Sequence, residues 1–144
     1  MKEEVFEIII VELDYYIMER IRELRIRNSP YLSQLKLSQE LDLPESYVSK
    51  AENMKIRFRY NTRALNKIAN LFQVPYSALF PKELIKNDIV KMRLKKVPSN
   101  KRILKVNKDG EVEKPYEILS IVPLNERELS QWVNNKLPYL AIIK

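Results

Sequence analysis

The chain has 144 residues, an apolar fraction of 45% and a net charge of +7, enough for one domain of ordinary size or a small domain with an appendage. It contains no cysteine, no histidine and a single glycine, Gly110. That excludes a disulfide framework, thiolate or imidazole metal ligation, a glycine-rich phosphate loop and the commonest general base. No apolar run approaches the roughly 20 residues of a bilayer span, and Met1–Val11 is acidic, unlike a secretory signal. A cytoplasmic, non-enzymatic protein with no cofactor and no membrane association is expected.

Along the chain, Val5, Ile8, Ile9, Leu13, Tyr16, Ile17, Ile21 and Leu24 recur at helical spacing. This predicts helix over Asp14–Asn28, with Asp14 as its cap, and extends the helix back over Glu4–Leu13. The β-branched run Ile8–Val11 competes there for a strand. Ser29-Pro30 ends the helix, because a residue before proline is pushed out of the helical region. Ser33 caps the next helix, in which Leu37 and Leu41 form an i, i+4 stripe. Leu43 fills the corner, and Val48 with Ala51 gives a second short helix an inward i, i+3 pair. Glu45, Ser46, Tyr47, Ser49, Lys50 and Asn53 then lie on its outer, polar face. Two short helices at a steep angle with such a face suit a DNA major groove.

After a basic and aromatic connection, Met54–Asn61, a helix is predicted over Thr62–Phe72 with Leu65, Ile68, Ala69 and Phe72 inward. A further short turn follows at Val74–Phe80, with Pro75 at its start. Lys82–Lys96 reads as a basic helix or extension and Val97–Asn100 as a linker. Arg102–Val106 and Val112–Val122 are strand-like, and Lys108–Glu111 between them is a hairpin turn built on Asp109-Gly110. Asn125 caps a helix over Glu126–Asn135 that carries Trp132 on its apolar face, and Tyr139–Ile143 closes as a strand.

Charge follows this organisation. Residues 1–28 carry five basic and seven acidic groups, 29–81 seven and four, and 82–144 fourteen and eight. Ten of the basic residues fall within Lys82–Lys108, against only Glu83 and Asp88. A basic stretch beside a groove-reading helix adds phosphate affinity through counterion release.

The residues Leu32-Ser33-Gln34, Leu37-Ser38, Leu41, Leu43, Ser46, Val48-Ser49-Lys50 and Glu52-Asn53 resemble, without a gap, the lambda-repressor-like (XRE) helix-turn-helix family. Ile17–Arg25 is similar to that family's first helix, and Leu65–Pro75 to its fourth helix and the following turn. The resemblance covers about residues 15–81. Asp42 and Met54 stand where the family usually has glycine, so Asp42 is expected to take the left-handed turn conformation and Asn53 the left-handed helix stop.

The expected fold is mostly α: a five-helix lambda-repressor-like DNA-binding domain over 1–81 with an N-terminal extension, a basic linker or helix over 82–100, and a small ββαβ appendage over 101–144 that is expected to hold a dimer or bind a partner. The resemblance makes Gln34 a phosphate contact that braces the recognition helix. Glu45, Ser46, Tyr47, Ser49 and Lys50 are expected to contact bases, with Lys50 donating to guanine and Glu45 accepting from cytosine. Asn53, Lys55, Arg57 and Arg59 are expected along the DNA backbone. Glu52 is read as structural, holding an amide or an arginine.

The expected function is a transcriptional regulator, a repressor acting as a homodimer on an inverted repeat of double-stranded DNA. An antitoxin whose residues 101–144 bind a partner enzyme is the alternative. A basic adaptor with little sequence preference is a third reading.

Overall fold

In the computed structural model, residues 4–97 and 105–143 are described. The chain order is strand β1 (Val5–Val11), helices α1 (Glu12–Arg27), α2 (Gln34–Glu40), α3 (Tyr47–Glu52) and α4 (Thr62–Phe72), a 3-10 helix (Tyr76–Leu79), strands β2 (Ile89–Lys96) and β3 (Tyr116–Pro123), helix α5 (Glu126–Val133) and strand β4 (Leu140–Ile142). These elements form two compact units. One contains residues 4–12, 85–97 and 114–143, and the other residues 13–84 and 105–113.

The first unit is a four-stranded antiparallel sheet in the order β3-β2-β1-β4. Opposite Ile10, Ile8 and Phe6 of β1 stand Val90, Met92 and Leu94 of β2. Directly opposed residues share a face, and all six are buried. The other face alternates to Lys91, Arg93 and Lys95, with Arg93 paired to Glu7 at 3.2 Å. Asn125 caps α5 by accepting from the Glu128 backbone, while the Glu128 carboxylate accepts from the Asn125 N–H. Trp132 and Leu129 of α5 then pack on Ile9, Ile89 and Leu124.

The expectation of a mostly α protein with a lambda-repressor-like five-helix domain and a separate ββαβ appendage is corrected by this sheet. The described residues are 39% helix and 21% strand, and the N-terminal stretch, expected as helix, is one of the two inner strands. Ile8–Val11 resolves as β because β1 is paired on both sides, where branched side chains fit a pleated surface. Lys82–Lys96 is no helix either, since its second half is β2, with Val90, Met92 and Leu94 alternating with Lys91, Arg93 and Lys95.

Of the expected strand at Arg102–Val106, only Lys105 and Val106 are described, and neither belongs to the four-stranded sheet. Val106 makes one bridge with Val112, residues 102–104 lie outside the described set, and the small hairpin over 105–113 belongs to the helical unit. Its turn has Gly110 at φ +80. Arg27 donates to the Gly110 carbonyl at 2.6 Å and Arg22 to that of Glu113 at 2.7 Å. Of the expected linker Val97–Asn100, only Val97 is described, and its N–H donates to Pro115.

The helical unit is built around Ile17, Ile21, Leu32, Leu37, Leu41, Val48, Ile68, Ala69 and Leu79. Helix α1 starts at Glu12, so Asp14 lies in its first turn and is not its cap. Ser33 caps α2 by accepting from the Lys36 N–H at 3.0 Å. Asn61 does the same for α4 with Ala64 at 2.8 Å, and α4 ends on a left-handed Gln73.

Candidate nucleic-acid interface

Helices α2 and α3 are joined by a turn in which Asp42 is left-handed at φ +54, the conformation expected of it in place of glycine. The Asp42 N–H donates to Gln39 and the Leu43 N–H to Ser38, each at 3.0 Å. The fully buried Ser38 hydroxyl fixes the corner. It donates to the Gln34 carbonyl at 3.0 Å and accepts from the Val48 N–H at 3.1 Å, so one side chain spans both helices. Val48 and Ala51 face the core, as their spacing requires.

The far end of α3 is held by a buried ionic network. Arg25 grips Glu52 with two parallel bonds, Nη2 to Oε1 at 2.7 Å and Nε to Oε2 at 2.8 Å. A fork of this kind is the strongest ion-pair geometry available to these side chains. Arg25 also donates to the Leu32 carbonyl at 2.9 Å, which ties the end of α1 to the residue preceding the α2 cap. Burial penalises the Arg25 charge, yet its bond to Glu52 holds the guanidinium above its ordinary range. Gln34 completes the network by donating from Nε2 to Glu52 Oε1 at 3.0 Å. Its amide therefore braces the last residue of α3.

Sequence reasoning assigned Glu52 to an arginine or an amide but did not find Arg25 as its partner. The signal was there: Ile17, Ile21 and Arg25 stand four residues apart, so Arg25 continues the apolar stripe of α1. A charge at such a position needs a buried counter-charge.

The expected base-contacting residues divide. Glu45 and Ser46 precede α3 and are exposed, as is Lys50. Ser49 is half-buried and donates its hydroxyl to the Ser46 carbonyl at 3.0 Å. Tyr47 is not on the outer face: its ring meets Phe58 edge-on at 5.0 Å and lies 6.0 Å from Tyr60. Its hydroxyl is buried without a hydrogen-bond partner among the described residues. Tyr47 thus clasps the following loop against α3, a role that the Phe58 and Tyr60 alternation signals in retrospect.

Apart from Gln34, which begins α2, the expected backbone contacts lie at the end of α3 and in the loop that follows. Asn53 is not left-handed but extended, at φ −83 and ψ 107. Its Oδ1 accepts from the Lys55 N–H at 3.0 Å, so a side-chain turn ends α3 without the strained conformer. Arg57 is exposed and Lys55 half-buried. Arg59 folds back, donating to the carbonyls of Ile56 and Phe58. Its charge also lowers the Asp14 carboxyl, which burial pushes up on balance. The geometry therefore groups Glu45, Ser46 and Lys50 at the exposed start and side of α3, with Arg57 beyond its end.

Among the described residues no cluster of acidic side chains could hold a metal ion, and no helix is long and apolar enough to cross a membrane. Comparison with protein-family models, curated proteins and solved structures gives no match.

Proposed function

We propose that this chain is a sequence-specific DNA-binding transcriptional regulator of the helix-turn-helix kind, reading the major groove with α3 and acting as a homodimeric repressor. One observation carries the reading: α3 is locked from behind at both ends, by Ser38 at its start and by Arg25, Glu52 and Gln34 at its finish, while Glu45, Ser46 and Lys50 stay exposed. A reading element has to be rigid and its contacting side chains uncommitted, and this is where the chain spends buried polar bonds. The residue resemblance over about 15–81 supports the same reading.

In this role Lys50 donates to a guanine edge, Glu45 accepts from a cytosine amino group, and Ser46 and Ser49 contact bases or the adjoining phosphates. Gln34 uses one amide N–H on Glu52 and directs the other to a phosphate. Lys55 and Arg57 add sequence-independent backbone affinity.

Selection of duplexes from a random pool at physiological salt, with the full chain, tests the proposal. The expected result is an inverted repeat with half-sites about ten base pairs apart. Binding that enriches no sequence, or no binding at all, overturns it.

A further inference from the structure

Among the described residues, the sheet ends in β3 on one side and in β4 on the other. β4 spans three residues, whereas β3 spans eight, Tyr116–Pro123. A row of unpaired N–H and C=O groups is a template for another strand, and proteins usually blunt it with lysines. Here the reverse holds. The chain has 26 basic residues, yet β3 (Tyr-Glu-Ile-Leu-Ser-Ile-Val-Pro) has none, while β2 beside it carries Lys91, Arg93, Lys95 and Lys96. Leu119 and Val122 are 44% and 52% exposed. Among the described residues, the β3 backbone makes no hydrogen bonds other than those with β2.

We propose that β3 is a self-association edge, at which a second copy of this chain adds its own β3 antiparallel. The strand is self-complementary in a way that depends on its bulge. The register slips between Arg93 and Leu94, which oppose Ser120 and Ile118, so Leu119 is the extra residue. That insertion places Ile118 and Ile121, three apart, both opposite buried residues of β2, Leu94 and Met92, and hence on one face.

A two-fold axis between Leu119 and Ser120 then sets Ile118 against Ile121 of the second copy, Leu119 against Ser120, and Glu117 against Val122. Ile118 and Ile121 share one face, Glu117 and Val122, opposite Lys95 and Lys91, share the other, and the one charged residue meets no like charge. Pro123 lacks an N–H and ends the ladder. The dimer requires no DNA to form. It rests on the regulator reading only for its purpose, which is to give the protein the symmetry of an inverted repeat.

Sedimentation equilibrium of the full chain without DNA tests this. The wild type is expected to shift from the 17.2 kDa monomer to twice that mass as concentration rises. Leu119→Lys and Val122→Lys alter exposed positions and should keep the wild-type circular dichroism, and the wild-type melting point at concentrations where the wild type is itself a monomer, while remaining monomeric. Ile142→Lys on the β4 edge should dimerise normally. A wild type that stays monomeric, or lysine variants that dimerise as well as it does, overturns the proposal. Because the assay contains no DNA, its failure is separable from a failure of the regulator reading, which duplex selection reports.

Discussion

Arg25 and Glu52 stand 27 positions apart in sequence and nearly out of water in the fold, with side chains 4% and 3% exposed. Removing one partner of such a pair leaves an uncompensated buried charge, whereas replacing both by apolar residues removes two desolvation costs together. Glu52→Ala should therefore cost about 3–5 kcal/mol in urea unfolding, and the double variant Arg25→Met with Glu52→Leu should be more stable than Glu52→Ala alone. Ser38 offers a smaller version of the same logic. Ser38→Ala leaves the buried Val48 N–H without its acceptor, a loss of about 1–3 kcal/mol. On the exposed side of α3 the expectation reverses. Lys50→Ala should leave stability unchanged and relax discrimination at one base pair by about 1–3 kcal/mol, while Arg57→Ala should weaken all duplexes alike and lower the salt slope.

Among the elements, α5 shows how much one cap can determine. Eight residues are too few for a helix to persist by propensity. The reciprocal Asn125 and Glu128 bonds and the packing of Leu129 and Trp132 hold it on the sheet. The Glu128 carboxylate also pairs with Lys91 of β2. This bond and the Asn125 N–H keep its carboxyl below the usual range. A depressed carboxyl stabilises the fold above its unfolded-state titration and loses that contribution as pH falls through its folded value. The stability gap between wild type and Glu128→Gln, measured by chemical unfolding, should be present at pH 7 and shrink as the pH falls from the ordinary glutamate value toward the lower folded one. Asn125→Ala should cost about 1 kcal/mol, typical of a lost cap.

At the scale of the whole molecule, the sheet unit is assembled from three separate stretches of chain, and the two described stretches of the helical unit, 13–84 and 105–113, fall between β1 and β2 and between β2 and β3. Among the described residues, the part of the sheet within 101–144 is β3 and β4, which pair with β2 and β1 and not with each other. Expressed by itself this fragment should be unfolded, with a collapsed amide spectrum by NMR; a dispersed spectrum would show that the sheet does not need β1 and β2.

Local order was legible in the sequence wherever a short segment settles its own conformation. Ser33 and Asn125 satisfy neighbouring N–H groups within one turn, Asp42 tolerates the left-handed bend, and Leu37 with Leu41 and Val48 with Ala51 lie at helical spacing, so α2, α3 and α5 could be read directly. The β1 stretch could not. Val5, Ile8 and Ile9 fit a helical stripe, while Ile8–Val11 fits a strand, and only pairing with β2, some eighty residues away, and with β4 decides between them. The same holds for Arg25 with Glu52 and for Tyr47 turning inward to Phe58. A cap or a turn is decided by bonds reaching three or four residues, but a strand or a buried charge takes its free energy from a distant partner, and that partner is set only when the tertiary fold closes.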